Sequence, residues 1–277
     1  MDGQIRAGGF SILPPVVKNL LIINGLFFLA KIVFGSRGVD LDAIFGLHYF
    51  TASEFRPWQI ITYMFMHGDF GHIFFNMFAL WMFGSSIENA WGGKRFISYY
   101  LITGIGAALI HYIIIYFQIH PTLVLLNHFL DNPNLETYQY LAQHNTSERF
   151  QTMLTNNLYY LQQNPDSIHE LVNVTTTAKE NFLNSFNIIG ASGSVFGLLL
   201  AFGMLFPNAQ IYLYFLLPIK AKWFVIIYGA LELLYGVTGS SDGIAHFAHL
   251  GGMLFGIILI LVWRKYDRKH FDNHYFG

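Results

Sequence analysis

The stretch IIGASGSVFGLLLAFG, residues 188–203, carries no charge and places small residues at Gly193, Gly197 and Ala201, four apart. On a helix that spacing makes a stripe with little bulk, along which another backbone can come close. Ser192 stands beside the stripe, directly after a loop. The stretch belongs to a longer run, 181–219, that contains no Asp, Glu, Lys or Arg, and 96–130 and 243–263 contain none either. Only 11% of the 277 residues are charged and 54% are hydrophobic, where soluble domains run near ~25% charged. A spanning helix needs ~20 mostly apolar residues, so the chain reads as an all-α polytopic membrane protein.

The apolar pattern predicts six spans, at 16–34, 67–83, 96–117, 192–206, 221–235 and 244–263. The second, fourth and fifth look short, as helices ending inside a protein-lined cavity would be. A net charge of −1 gives no reason to expect nucleic acid, and the absence of cysteine excludes disulfides and thiolate metal sites. The N-terminal MDGQIRAGGFSILPP has no apolar run followed by a small-residue cleavage site, so the first span is expected to target the chain by itself.

Basic residues in short loops set the expected orientation. Arg6, Lys18, Lys94, Arg95, Lys220, Lys222 and the tail RKYDRK (264–269) fall on one side; opposite, the first loop has Arg37 and Arg56 and GVTGSSDG (236–243) has no basic residue. Both termini are therefore expected to be cytoplasmic, with His67, Ser192 and His246 near the outer face. The whole chain, 1–277, reads as one membrane domain carrying a soluble insertion on the outer side at 118–187, rich in Asn, Gln, Thr and His. Within it, Ser147, Phe150, Leu154, Leu158 and Leu161 have helical spacing, and SIHE (167–170) reads as a capping box. A small helical cap is the plain reading of this segment. No internal repeat is found.

Polar side chains inside spans single out the chemistry. In IAHFAHLGGMLFG (244–256), Gly252 and Gly256 repeat the four-residue spacing. At 100° per residue His249 falls within ~60° of both glycines and His246 ~80–120° away. If the two glycine stripes pack together, His249 faces the fourth span, and a base must reach a hydroxyl at ~2.6–3.2 Å. Ser194 is ~200° round the helix from Ser192 and is assigned to packing. Phe196 lies one turn below Ser192, where it can stack on the His249 ring or serve as an ordinary core residue.

In HGDFGHIFFN (67–76), His72 and Asn76 are four apart on one helical face, with His67 at the mouth. An amide and an imidazole aimed at one point would stabilise an oxyanion. The rival is a metal site made of His67, His72, His246 and His249, disfavoured because neither a pattern of supporting carboxylates nor HExxH accompanies them. Glu232, inside the fifth span, is read as hydrogen-bonding within the bundle, with no partner that can be named.

These residues together resemble the rhomboid intramembrane serine proteases. The resemblance rests on GASG (190–193), AHLGGMLFG (248–256) and HGDFGHIFFN (67–76), supported by ENAWG (88–92) and the tryptophan of RPWQIITYMFMH (56–67). It covers all six spans and leaves 118–187 as an insertion. It implies a six-helix rhomboid bundle without cofactor or resident metal, in which Ser192 is the nucleophile and His249 the general base. His72, Asn76 and the Ser192 backbone N–H would form the oxyanion hole, Gly190 would leave room for the substrate backbone, and His67 would order the first loop. Gly193, Gly252 and Gly256 would support the close helix approach. The resemblance further implies a dyad without a third carboxylate member, a mobile fifth helix (IYGALELLYG, 227–236), and transmembrane proteins in the lipid bilayer as substrates, with a small residue before the cut. A bacterial inner membrane is the expected location. Phe196 stands where some relatives have tyrosine.

Two other classes compete. An inactive rhomboid-like binder of membrane clients would not need both Ser192 and His249. A transporter would be expected to show symmetry between its halves, which this sequence lacks. An α/β-hydrolase is disfavoured because GASGS is not G-x-S-x-G and no strand precedes it.

Overall fold

The structure is a computed structural model that describes residues 10–145, 147–213, 216–239 and 245–275 of the chain, with side chains as far as 267. Arg6 and the loop residues 240–243, used above for orientation, lie outside the described residues, as does the expected start of the sixth span at 244.

Nine principal helices follow one another: α1 (Pro15–Gly35), α2 (Phe70–Trp91), α3 (Gly93–Asp131), α4 (Leu135–His144), α5 (Glu148–Gln163), α6 (Ile168–Asn184), α7 (Ser192–Leu205), α8 (Ala221–Thr238) and α9 (His246–Tyr275). A hairpin of β1 (Gln210–Leu213) and β2 (Leu217–Lys220) joins α7 to α8, with Gln210 opposite Lys220 and Leu213 opposite Leu217. Helices α1, α2, α3, α8 and α9 are long and apolar enough to cross a membrane, and α7 is a shorter apolar helix. The protein is thus an all-α, multi-pass integral membrane protein.

Of the three spans expected to be short, only the fourth is. Helix α7 has 14 residues, ~21 Å at 1.5 Å per residue, against a hydrocarbon core of ~30 Å. The second and fifth extend to 22 and 18 residues. Helix α2 gains its length by passing through a π-turn at Leu80–Gly84 instead of ending there.

The chain divides into two compact units. One contains the chain up to Leu47, Pro57–His111 and everything from Ile188 onward; the other contains His48–Arg56 and Tyr112–Asn187. The second unit therefore starts six residues before the expected insertion and includes part of the first loop.

In the first unit, α1 begins at Pro15, where a missing N–H does no harm. The next two amides, of Val16 and Val17, donate to the Glu88 carboxylate of ENAWG at 3.0 and 2.8 Å. An anion there also complements the helix dipole. Trp91 of the same motif packs edge-on against Trp263 of α9, over which the Arg95 guanidinium lies at 4.6 Å.

In the second unit, α5 buries Phe150, Leu154 and Leu161, with Leu158 partly buried, which is the face that the spacing predicts. Their partners include Leu126, Phe129, Tyr138 and Leu171. Two expectations fail here. The helix of the third span does not stop at 117 but runs through Pro121 to Asp131. One proline removes one donor, while continuing the helix buries Leu126 and Phe129 completely. Ser167 does not cap α6: its φ and ψ of −79° and 9° leave the extended conformation an N-cap needs. The capping box lies at α4, where the Asn134 side chain accepts from the Thr137 N–H at 2.9 Å and the Thr137 hydroxyl accepts from the Asn134 N–H at 3.2 Å.

Candidate active site

The site is built where α7 begins. The loop into it is held by Gly190, whose N–H donates to the Tyr63 carbonyl at 2.9 Å. Gly190 has φ +126°, a region that disfavours any side chain. A Cβ there would lie 2.7 Å from His72 Nε2 and 3.7 Å from Ser192 Oγ. The missing side chain therefore leaves a space bounded by the imidazole on one side and the hydroxyl on the other. Ser192 is the first residue of α7, so its backbone N–H is one of the helix's unpaired donors.

Helix α9 comes against α7 without intervening bulk. A Cβ on Gly252 would sit 1.9 Å from the Gly193 carbonyl oxygen, so only glycine fits. The expected stripe-on-stripe packing holds at this crossing and is shared elsewhere. Side chains at Gly193 and Gly197 would strike Ala107 and Thr103 of α3, and one at Gly256 would strike Tyr99 of α3 and Leu200. Helix α7 is thus wedged between α3 and α9, and the Tyr99 hydroxyl donates to the Gly197 carbonyl at 2.8 Å. Ser194 points away from the site and donates to the Tyr100 carbonyl at 2.7 Å.

The close crossing brings His249 Nε2 to 2.9 Å from Ser192 Oγ. The Phe196 ring stacks on the His249 ring at 4.1 Å with only 6° between planes. The other ring nitrogen, Nδ1, lies 2.9 Å from Oε2 of Glu232 on α8. The same carboxylate oxygen lies 2.7 Å from Nδ1 of His246. All three side chains are buried. With Glu232 ionised the carboxylate only accepts hydrogen bonds, and that assignment puts a proton on each Nδ1 atom. A neutral His249 then has its lone pair at Nε2, facing the Ser192 hydroxyl, which is the tautomer a general base requires.

This arrangement corrects two expectations. The serine–histidine pair does not stand without a carboxylate neighbour, because Glu232 holds the far nitrogen of His249. Glu232 does have partners, two of them. The sequence carries one signal of this, a lone acid in the middle of a helix whose one other charge, Lys222, lies in its first turn. Its partners lie 14 and 17 residues further on, on another helix, and nothing in the sequence states how α8 is rotated against α9. His246 does not reach Ser192, as the helical wheel indicates, but it does reach the carboxylate.

On the other side of the hydroxyl, His72 sits in the first turn of α2. Its own N–H donates to the Asp69 carboxylate at 2.9 Å, and Asp69 caps the helix. The Gly68 N–H donates to His72 Nδ1 at 3.2 Å, which leaves the proton on Nε2, the atom facing the space at Gly190. Asn76 is buried one turn further along the same face. His67 is fully buried, with its ring edge-on to His72 at 5.0 Å. Its carbonyl and that of Gly68 accept from Lys31 Nζ at 2.7 and 2.9 Å, and Lys31 pairs with Asp42.

Among the described residues the four histidines of the rival metal site do not gather into one ligand set. The group whose ligand atoms come within 4.8 Å of one another is Glu232, His246 and His249, and the hydrogen bonds already described use those atoms. The open cavity lined by Phe10, Ser86, Asn89, Phe202 and Phe206 borders the far end of α7, away from Ser192.

Comparison with known proteins shows the family. The family model described as Rhomboid domain matches residues 54–120 and 154–266, well over half of the chain, and passes over the intervening segment within the second unit. The chain is 25% identical over 256 residues, 92% of its length, to RHOMBOID-like protein 12, mitochondrial, of Arabidopsis thaliana. It is 23% identical over 223 residues, 78% of its length, to an uncharacterized mitochondrial rhomboid protein of Schizosaccharomyces pombe. The chain spans 60% and 54% of those two relatives. It is 31% identical over 95 residues, 33% of its length and 34% of the relative's, to the rhomboid protease AarA of Providencia stuartii.

Proposed function

The chain belongs to the rhomboid family of intramembrane proteases, and on that premise we propose that it is a serine endopeptidase that cleaves transmembrane segments of other membrane proteins. The observation that carries this reading is the 2.9 Å contact between Ser192 Oγ and His249 Nε2, inside a membrane protein and at the start of a helix.

In this reading the substrate's scissile carbonyl enters the space left open by Gly190. Ser192 Oγ attacks its carbon while His249 Nε2 takes the hydroxyl proton. The negative charge that develops on the carbonyl oxygen meets His72 Nε2–H, the Asn76 amide and the Ser192 backbone N–H, donors set in place beforehand. The α7 dipole adds to them. The imidazolium returns its proton to the leaving amine, and water, activated by the same imidazole, releases the acyl group. Phe196 keeps the ring in plane, and His67 with the Lys31 brace shapes the turn that carries His72.

A helical substrate hides its carbonyls in its own hydrogen bonds, so the cut falls where helix-breaking residues loosen the segment, next to a small residue. Loop charges favour cytoplasmic termini and a site toward the outer face. The expected bacterial inner membrane gains no support, because the two relatives matching most of the chain are named as mitochondrial; we assign only an integral membrane location.

The test is cleavage of a fluorescent transmembrane peptide by the purified chain in proteoliposomes. Wild type cleaves, and Ser192→Ala loses at least ~10³-fold of the rate with its melting temperature unchanged. An inactive client binder would give no cleavage by wild type, and equal rates for the two proteins would end the serine mechanism.

A further inference from the structure

The site holds one charged group that the dyad mechanism does not use. We propose that Glu232 is a positioning residue, completing a hydroxyl–imidazole–carboxylate chain of Ser192, His249 and Glu232 that crosses from α7 through α9 to α8. The inference rests on the protease reading above and deepens it.

Three observations support a role beyond tying two helices together. First, the carboxylate oxygen accepts from His249 Nδ1 at 2.9 Å while Nε2 of the same ring faces the nucleophile. Glu232 therefore acts on the tautomer, and it favours the imidazolium that forms during attack. Second, a charged group inside a spanning helix is costly and persists where it has both a partner and a use. Anchoring α8 to α9 needs only one hydrogen bond, and His246 supplies it at 2.7 Å; the bond to His249 is additional. Third, the His249 ring is already stacked on Phe196. Stacking fixes the plane of the ring but not its rotation within that plane, which the Nδ1–H bond to Glu232 does fix. His246 on the same oxygen orients the carboxylate in turn.

The experiment compares wild type, Ser192→Ala and Glu232→Gln, full chain, in the peptide assay with EDTA present, across about pH 5 to pH 9. Glutamine keeps the shape and an acceptor oxygen but removes the charge. Among the described residues the titratable groups near His249 are Glu232 on α8, His246 on α9, His72 on α2 and His111 on α3, and only the first is altered. The carboxylate favours the protonated ring, and the ring works in its neutral form. Removing the charge therefore moves the acid limb of the rate profile to lower pH, by about one unit or more, and lowers the optimal rate by ~10²–10⁴-fold. An unmoved acid limb overturns the positioning role, whether the rate is unchanged or falls together with the melting temperature. Should Glu232→Gln not fold, wild type labelled with ¹⁵N-histidine decides. A strongly deshielded Nδ1–H resonance that disappears in His249→Ala supports the proposal, and no such resonance overturns it. Equal cleavage by Ser192→Ala would instead remove the protease reading, and the inference with it. Loss of cleavage in Ser192→Ala with a wild-type profile in Glu232→Gln removes the inference alone.

Discussion

Helices α7 and α8 are neighbours in sequence and both contribute to the site, yet they are held in opposite ways. Helix α7 buries Gly193, Ser194, Val195, Gly197 and the run Leu198–Ala201. It is fixed by backbone contact, with the Gly252 position pressed on the Gly193 carbonyl. Helix α8 buries only Ala221, Val225 and Glu232, while Trp223, Ile226, Ile227, Leu233, Leu234 and Val237 are exposed. In a bilayer those side chains face lipid, which attracts them about as well as another helix would. One helix therefore owes its place to shape along its length; the other adds to its close contacts at Val225 with Gly203 and at Gly236 with Phe247 a buried carboxylate shared by two imidazoles. In the proposed mechanism the nucleophile sits on the helix fixed by shape, and the group that orients the base sits on the helix that carries the buried charge.

That contrast can be tested at matched substitutions. Gly252→Ala should have the largest effect, because its methyl group meets backbone, which cannot swing aside. The expected loss is about 3 kcal/mol, read as a lower melting temperature in detergent together with weaker cleavage. Phe196→Ala removes the stack on His249, expected to be worth about 1 kcal/mol, and should slow cleavage about fivefold without a comparable loss of stability. The smallest effect belongs to α8: a Cβ at Gly229 would lie 3.4 Å from the flexible end of Met253. Gly229→Ala should be neutral or gain about 0.5 kcal/mol from helix propensity. If Gly229→Ala were as damaging as Gly252→Ala, the two helices would not differ as described.

The same contrast explains what the sequence made legible. The α7–α9 contact could be read because four-residue glycine spacing constrains close approach, and the wheel chose His249 over His246 correctly. The face of α5 could be read because burial follows the 3.6-residue period. The end of the third span could not, because Pro121 marks a possible break and tertiary burial of Leu126 and Phe129 overrides it. The capping role given to Ser167 failed because the residue types of a capping box do not set the φ and ψ of its first member. Glu232 was visible as an anomaly, but its partners depend on the rotation of one lipid-facing helix against another, and a helix apolar on most sides carries no periodic signal for that angle. The tautomer of His72 rests on a backbone N–H, that of Gly68, which no side-chain pattern encodes.

The most direct test of the whole arrangement is to treat the folded chain with a fluorophosphonate and locate the adduct by mass spectrometry. The geometry predicts one phosphonylated residue, Ser192, formed in wild type and lost in His249→Ala, with Ser194 unmodified throughout. An adduct on another serine, or on Ser192 at the same rate without His249, would contradict it.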